Sequence, residues 1–442
     1  MKWSVILFFA SVFGHSNSYS QDSVAADLNS SKLNSDYFFN HHDLLNASCF
    51  HGEEISVSLI SSYYTNSNAV SSDMRNTLTS ANFIDDQLKQ TILNDLQKRN
   101  FWGLDFYSSA SFSKNFDSFL FQHSSFIFGV EHRNMIVAGF PENAAQLLLM
   151  GNGFFENDTA QLSPLVFNNL AYNKIKAGMA GSWETNGNFY QLGFTFSFLQ
   201  GYHHEQVSVL DASLYTAPDG EFIDLNYSVT HSKSSPHRGS FFEPQGIGVG
   251  MDWMFSYNHD NKFVISFQAS DIGYIEWHNG LVTSRDTMIH YEGIEVPNIF
   301  DLEDSLFSES FADSLQETFL GEEKSVSYRT PLPSSYEIAF TSRMEEMFFV
   351  TLGGMVRTNT PGFPLVYLKF NRYFKKDFSV GATLSYGEWG RVNIGAEVKK
   401  QIGPLHISIG SNALQGILAP KNSSGTSVWL NIATFLSQRK SL

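Results

Sequence analysis

Two adjacent histidine pairs, a lone cysteine and a glycine triplet are the residues whose types and spacing could support chemistry. The pairs are His41-His42 and His203-His204. Two histidines chelate one metal ion on a strand at i, i+2 spacing, whereas adjacent residues point to opposite faces. Neither pair is therefore expected to ligate a metal. Cys49 has no second cysteine to pair with, and no His/Asn pattern marks it as a nucleophile. Gly246-x-Gly248-x-Gly250 has the wrong spacing for a dinucleotide fingerprint and leads into the strand-like Met251-Asp252-Trp253-Met254-Phe255. Glycines that let a strand curve tightly explain it better. Nucleophile elbows, zinc helices, C-x-x-C pairs and phosphate loops are missing from the sequence. No catalytic, cofactor-binding or metal residues are expected, and the chain reads as non-enzymatic.

Polar residues at alternate positions in apolar segments are the remaining candidates. Arg391, Asn393, Glu397 and Lys399 share one face of a segment, and Lys369 and Asn371 share a face of the segment 363–373. These six are candidate lumen-lining residues. A mixed-sign lining would favour small polar or zwitterionic solutes; alternatively, the charges neutralise one another and fill the interior.

The elements that must position such residues follow from composition and period. The chain has 442 residues, 41 of them Phe, with 16% charged residues and a net charge of −16. Soluble domains average roughly 25% charged residues. The acidic balance argues against nucleic acid as a partner. Met1-Lys2, an apolar run from Trp3 to Gly14 and a polar stretch ending at Ser20 read as a secretory signal over residues 1–20, cleaved after Ser20. The run is shorter than the roughly 20 residues a spanning helix needs. The only other structure that satisfies its backbone inside lipid is a closed barrel.

Period-two alternation dominates the rest. Phe378, Val380, Ala382, Leu384 and Tyr386 oppose Ser379, Gly381, Thr383 and Ser385. Likewise Tyr190, Leu192, Phe194, Phe196 and Phe198 oppose Gln191, Gly193, Thr195 and Ser197. This is the strand period. Turn signals fall at Pro218-Asp219-Gly220, at Asn258 to Asn261 and at His278-Asn279-Gly280. The polar faces are mainly Ser, Thr, Gly, Asn and Gln. Trp102, Trp183, Trp277 and Trp389 lie near strand ends and read as aromatic girdles.

Short and long connectors alternate back from the C-terminus, ending at a long excursion over 293–334. The expected fold is all-β: an antiparallel up-and-down transmembrane β-barrel of roughly 14–16 strands with short loop helices. The barrel is assigned to 54–436, with an N-terminal periplasmic or lumen-plugging segment at 21–53 and a tail at 437–442. Helical spacing with interleaved acids predicts an amphipathic helix at 298–320 on the outer rim, and a second one at Ile84–Arg99. Pro331 and Pro333 cannot donate ladder hydrogen bonds, so they mark the start of a strand near Tyr336.

These features in this order resemble an uncharacterised family of outer-membrane β-barrels from Bacteroidota, a domain of unknown function. The residues that carry the likeness are Pro141 with the apolar stretch to Gly151-Asn152-Gly153, and Ser213-Leu214-Tyr215-Thr216 leading into Pro218. Asp271 to Trp277 and Ser327 to Pro333 complete it. The family is similar to fatty-acid-transporter-type barrels and to the PorV and PorQ proteins of type IX secretion. The resemblance implies the outer membrane, contact with its lipid, and no established activity. This chain departs from the family in having Leu45-Asn46-Ala47 in place of Asn-Pro-Ala, and in lacking a terminal aromatic residue.

Three functions compete. The first is a channel or transporter for a small or amphipathic solute. The second is a plugged barrel that docks secretion or surface-assembly proteins through the 298–320 helix. The third is a soluble secreted β-sandwich that binds a ligand. If the lumen is aqueous, Thr195→Arg should be mild and Phe194→Arg severe.

Overall fold

The computed structural model describes residues 37–39, 55–71, 86–116, 120–235, 243–292, 323–375, 377–420 and 423–436. The signal sequence, His41-His42, Cys49 and the 298–320 helix lie outside the described residues.

The alternating segments fold as strands. The first six are β1 (Ile55–Ser67), β2 (Arg99–Phe116), β3 (His123–Pro141), β4 (Asp158–Gln161), β5 (Leu165–Thr185) and β6 (Asn188–Thr216). Next come β7 (Phe222–Lys233), β8 (Gly246–His259), β9 (Phe263–Glu292), β10 (Lys324–Pro331), β11 (Ser335–Glu345) and β12 (Phe348–Arg357). The last five are β13 (Phe363–Lys375), β14 (Phe378–Glu388), β15 (Val392–Ile402), β16 (Leu405–Ser411) and β17 (Thr426–Leu436). Short helices α1 (Asp86–Asp95), α2 (Glu142–Met150) and α3 (Gln415–Leu418) sit in connectors.

Fourteen strands close an antiparallel ring, as the alternation predicts: β1, β2, β3, β5, β6, β8, β9 and then β11 to β17 in sequence. Closure comes from β17 returning to β1, with Ile55 opposite Leu436 and Thr65 opposite Thr426. A single closed sheet excludes the two-sheet sandwich. The other three strands extend the wall on one side. β6 and β9 run for 29 and 30 residues. Their first halves flank β8, while their distal parts pair with β7, β4 and β10.

The faces are inverted relative to a soluble sheet. On β14, Leu384 is 47% exposed and Thr383 only 5%. Phe196, Ile338, Leu352, Val366 and Ile394 point outward in the same way. Burying those side chains in water-free surroundings is favourable at roughly 25 cal/mol per Å², so an exterior this apolar is matched to lipid. Together, the closed ring and its apolar outer face make this a transmembrane β-barrel.

Connectors sort onto two rims. One carries tight turns, including Asn186-Gly187, where φ is 52° and 76°. Positive φ at both central residues gives the two-residue hairpin its type I′ twist, which Asn-Gly adopts readily. The other rim carries the longer connections, including α1, α2 and α3.

Four expectations need correction. Trp183 does join an aromatic belt near the tight turns, stacked on Tyr190 at 5.2 Å, with Tyr257 5.1 Å further on. Trp277 and Trp389 are instead fully buried: Trp277 lies inside β9 stacked on His204, and Trp389 lies in the turn after β14 beneath the Arg357 guanidinium. His278-Asn279-Gly280 is not a turn but lies within β9, where Asn279 has φ 54° and the pairing with β10 slips. The excursion over 293–334, expected as a connector carrying a helix, also contains a strand, since 324–331 forms β10. Finally, the described helix α1 ends at Asp95 and Arg99 already starts β2.

Candidate functional site

The inner face is filled, and a network of charges runs across it. Glu131 and Arg133 on β3, Lys174 and Lys176 on β5, Asp105 on β2, Asp252 on β8 and Asp271 on β9 are all buried. The strand pleat turns each of them inward. Arg133 holds Asp105 with two parallel hydrogen bonds, Nε at 3.0 Å and Nη2 at 2.6 Å, and donates Nη1 to Asp271. Lys174 Nζ lies 2.6 Å from Asp252, 3.0 Å from Asp271 and 3.5 Å from Glu131. Lys176 pairs with Glu131. Arg357 on β12 joins Asp105 at 3.3 Å to Glu388 at 2.8 Å. Buried charges persist only when paired and hydrogen-bonded. These pairs satisfy that condition. Arg133 with Asp105 and both lysines with Glu131 tie adjacent strands. Arg133 with Asp271, Lys174 with Asp252 and Asp271, and Arg357 with Asp105 and Glu388 brace strands that are not neighbours in the ring.

Asp271 is the hub. Its φ is 58°, a region that Asp tolerates better than most residues. Its N–H donates to Asp252 at 2.8 Å, and its carbonyl accepts from Ser334 Oγ at 2.8 Å.

Beside this network the lumen holds a piece of chain. Tyr37, Phe38 and Phe39 are 0%, 1% and 6% exposed. Phe38 N–H donates to Glu337 Oε1 on β11 at 2.7 Å. Lys369 Nζ on β13 donates to the Tyr37 carbonyl at 3.0 Å, and Asn412 Nδ2 donates to the Phe38 carbonyl at 3.2 Å. Aromatic rings surround the segment. Phe38 lies 5.4 Å from Tyr367 and 6.4 Å from Tyr64, and Phe39 lies 5.6 Å from Tyr64. The Arg357 guanidinium sits over Phe39 at 5.7 Å and over Trp389 at 5.5 Å, cation–π geometry in both cases. Gly103 makes room for this core, because a Cβ there would lie 1.9 Å from the Trp389 ring.

The six candidate lining residues are distributed as follows. Lys369, Asn371, Asn393 and Glu397 are buried on the inner face. Glu397 lies 3.6 Å from Lys369 and 3.0 Å from the half-buried Lys399. Arg391 is not on a strand. It lies in the connector before β15 and donates to the carbonyls of Asn68 and Asp95, pinning the end of α1. Thr195, expected to face water, is fully buried and donates to Asp252 at 3.0 Å.

Sequence reasoning passed over the ion network. Glu131 and Arg133, like Lys174 and Lys176, are charges at i, i+2 inside otherwise apolar strands, and that spacing was the available signal. His203 and His204 do point apart. His204 is buried with Nδ1 2.8 Å from the Tyr328 hydroxyl, and His203 is exposed. Gly248 allows β9 to approach, since a Cβ there would lie 2.0 Å from the Tyr274 carbonyl oxygen. Among the described residues no cluster of His, Cys, Asp or Glu could hold a metal ion.

Fold and site together define a transmembrane β-barrel with a charge-braced, filled lumen. The chain matches the Family of unknown function (DUF5723) over residues 53–412 and belongs to that family. No curated protein matches it. Among solved structures it is similar to the Pseudomonas putida toluene transporter TodX, at 9% identity over 92% of this chain and 97% of that one, with a TM-score of 0.45. A Pseudomonas aeruginosa FadL homologue matches at 8% identity over 87% and 91% of the two chains, with a TM-score of 0.40. The translocator domain of the autotransporter NalP from Neisseria meningitidis matches at 6% identity over 87% and 89%, with a TM-score of 0.31.

Proposed function

We propose that the protein is a non-enzymatic outer-membrane transport barrel for a small or amphipathic solute, occluded by its own N-terminal residues and opened when they leave. One observation carries this reading: the wall closes completely through β1 and β17 without Tyr37–Phe39. The segment occupies the half of the lumen lined by β1, β11, β13 and the β16–β17 connector. The ion pairs join β2, β3, β5, β8 and β9 to one another without using any group of Tyr37–Phe39, so the wall has its own support when the segment is out.

The apolar exterior and the signal-like N-terminus support the outer membrane as the location and its lipid as a partner. Docking to a secretion or surface-assembly complex rests on the 298–320 helix, which is outside the described residues. Single-channel recording in planar bilayers tests the transport reading. Wild-type protein should stay closed, and a variant lacking residues 37–39 should conduct and admit solutes into liposomes. A folded variant that does neither overturns the proposal.

A further inference from the structure

The manner in which Tyr37–Phe39 is held says what the lumen recognises. Three hydrogen bonds to the segment engage its main chain: Glu337 accepts from the Phe38 N–H, Lys369 donates to the Tyr37 carbonyl and Asn412 donates to the Phe38 carbonyl. Glu337 is 4% exposed and Lys369 is 1% exposed. A plug that merely filled space would need only apolar contacts. Glu337 also accepts from the Tyr367 hydroxyl at 2.7 Å, and Lys369 lies 3.6 Å from Glu397. These partners hold both groups in place where a peptide main chain meets them, each contact satisfying a main-chain group that would otherwise be buried without a partner. The rings of Tyr64 and Tyr367 then take the side chains in edge-on and tilted contacts, geometries that favour aromatic groups. Main-chain bonds for affinity with side-chain pockets for selectivity is the way extended peptides are recognised.

We propose that this lumenal site binds a peptide carrying consecutive aromatic residues, and that Tyr37-Phe38-Phe39 is its intramolecular stand-in. The inference deepens the transport reading and rests on the segment being able to leave. A peptide of this class either crosses through the opened lumen or opens it by competing with the segment.

The test uses the full chain with Tyr37→Gly, Phe38→Gly and Phe39→Gly, and acetyl-Tyr-Phe-Phe-amide as the probe in titration calorimetry. The triple variant should bind the probe about tenfold or more tightly than wild type, whose site is already occupied. Acetyl-Leu-Leu-Leu-amide should not bind. A probe methylated at the central amide nitrogen, which cannot donate to Glu337, should lose about tenfold or more in affinity. Phe39→Ala, a milder change, should also bind the probe more tightly than wild type, and covers a triple variant that fails to fold. Absence of probe binding in folded variants, or equal binding of the leucine or methylated peptide, overturns the inference. Conductance without peptide binding would leave the transport reading standing and remove only this one. Peptide binding without conductance would do the reverse.

Discussion

Lys174→Met is the substitution that most directly tests whether the ion network holds the barrel together. Lys174 is 2% exposed in its side chain and is the single cation within 4 Å of Asp252 among the described ion pairs. Removing it leaves Glu131 with Lys176 and Asp271 with Arg133. Asp252 retains only Thr195 Oγ1 and the Asp271 N–H as hydrogen-bond donors. Deleting one partner of a buried pair costs roughly 3–5 kcal/mol, because the other charge stays buried. At about 1.4 kcal/mol per factor of ten, that is a shift of two to three and a half decades in the folding equilibrium. The assay is reversible urea unfolding of protein in lipid vesicles, followed by tryptophan fluorescence and by heat-modifiable gel migration. The double variant Lys174→Met/Asp252→Asn should recover part of the loss, with a coupling of about 0.5–3 kcal/mol. A single-variant cost below about 1 kcal/mol, the range of solvent-screened pairs, would refute the buried network. Strict additivity in the double variant would refute the contact itself.

Three other outcomes are expected. Phe196→Arg, on the outward face, should destabilise by roughly 2–4 kcal/mol if it lies near the bilayer midplane; the same urea titration reads it. Gly103→Ala should cost about 1–3 kcal/mol, since its methyl group would overlap the Trp389 ring; near-ultraviolet circular dichroism should report the displaced indole. His290 should titrate above its ordinary value, because its hydrogen bond to Asp224 favours the protonated imidazole and outweighs desolvation. The pair therefore stabilises fully below the unfolded imidazole's pKa and loses that contribution as pH rises through the raised one. Asp224→Asn should bring the His290 titration back down in an NMR experiment, and an unmoved curve would remove Asp224 as the cause.

The barrel was legible because β14 and β15 alternate so strictly that only two faces of opposite polarity fit them. A tight turn announced itself at Asn258 to Asn261, where Asp260 and Asn261 take positive φ between β8 and β9. What was not legible depends on residues meeting across the ring. Nothing local to Lys174 says that Asp252 and Asp271, far along the chain, converge on it. Trp277 and Trp389 are of girdle type and adjoin turn-like sequence, but Trp277 lies within the long β9 and Trp389 in the turn after β14, where both pack inward. His278-Asn279-Gly280 reads as a turn by type, and only pairing with β10 on one edge, and with β8 just before it and β7 just after it on the other, keeps it within a strand. Thr195 looked water-facing because a polar inner face was equated with a wet one.

The seam between β1 and β17 also sets an order of events in biogenesis. Ile55 and Leu436 are 381 positions apart (436 minus 55), and contacts of such separation are the slow ones to form. Lys369 and Asn412, which grip Tyr37 and Phe38, come from the last part of the chain to be made. Tyr37 and Phe38 therefore wait for partners made late, and reach their place only within a wall that is already finished.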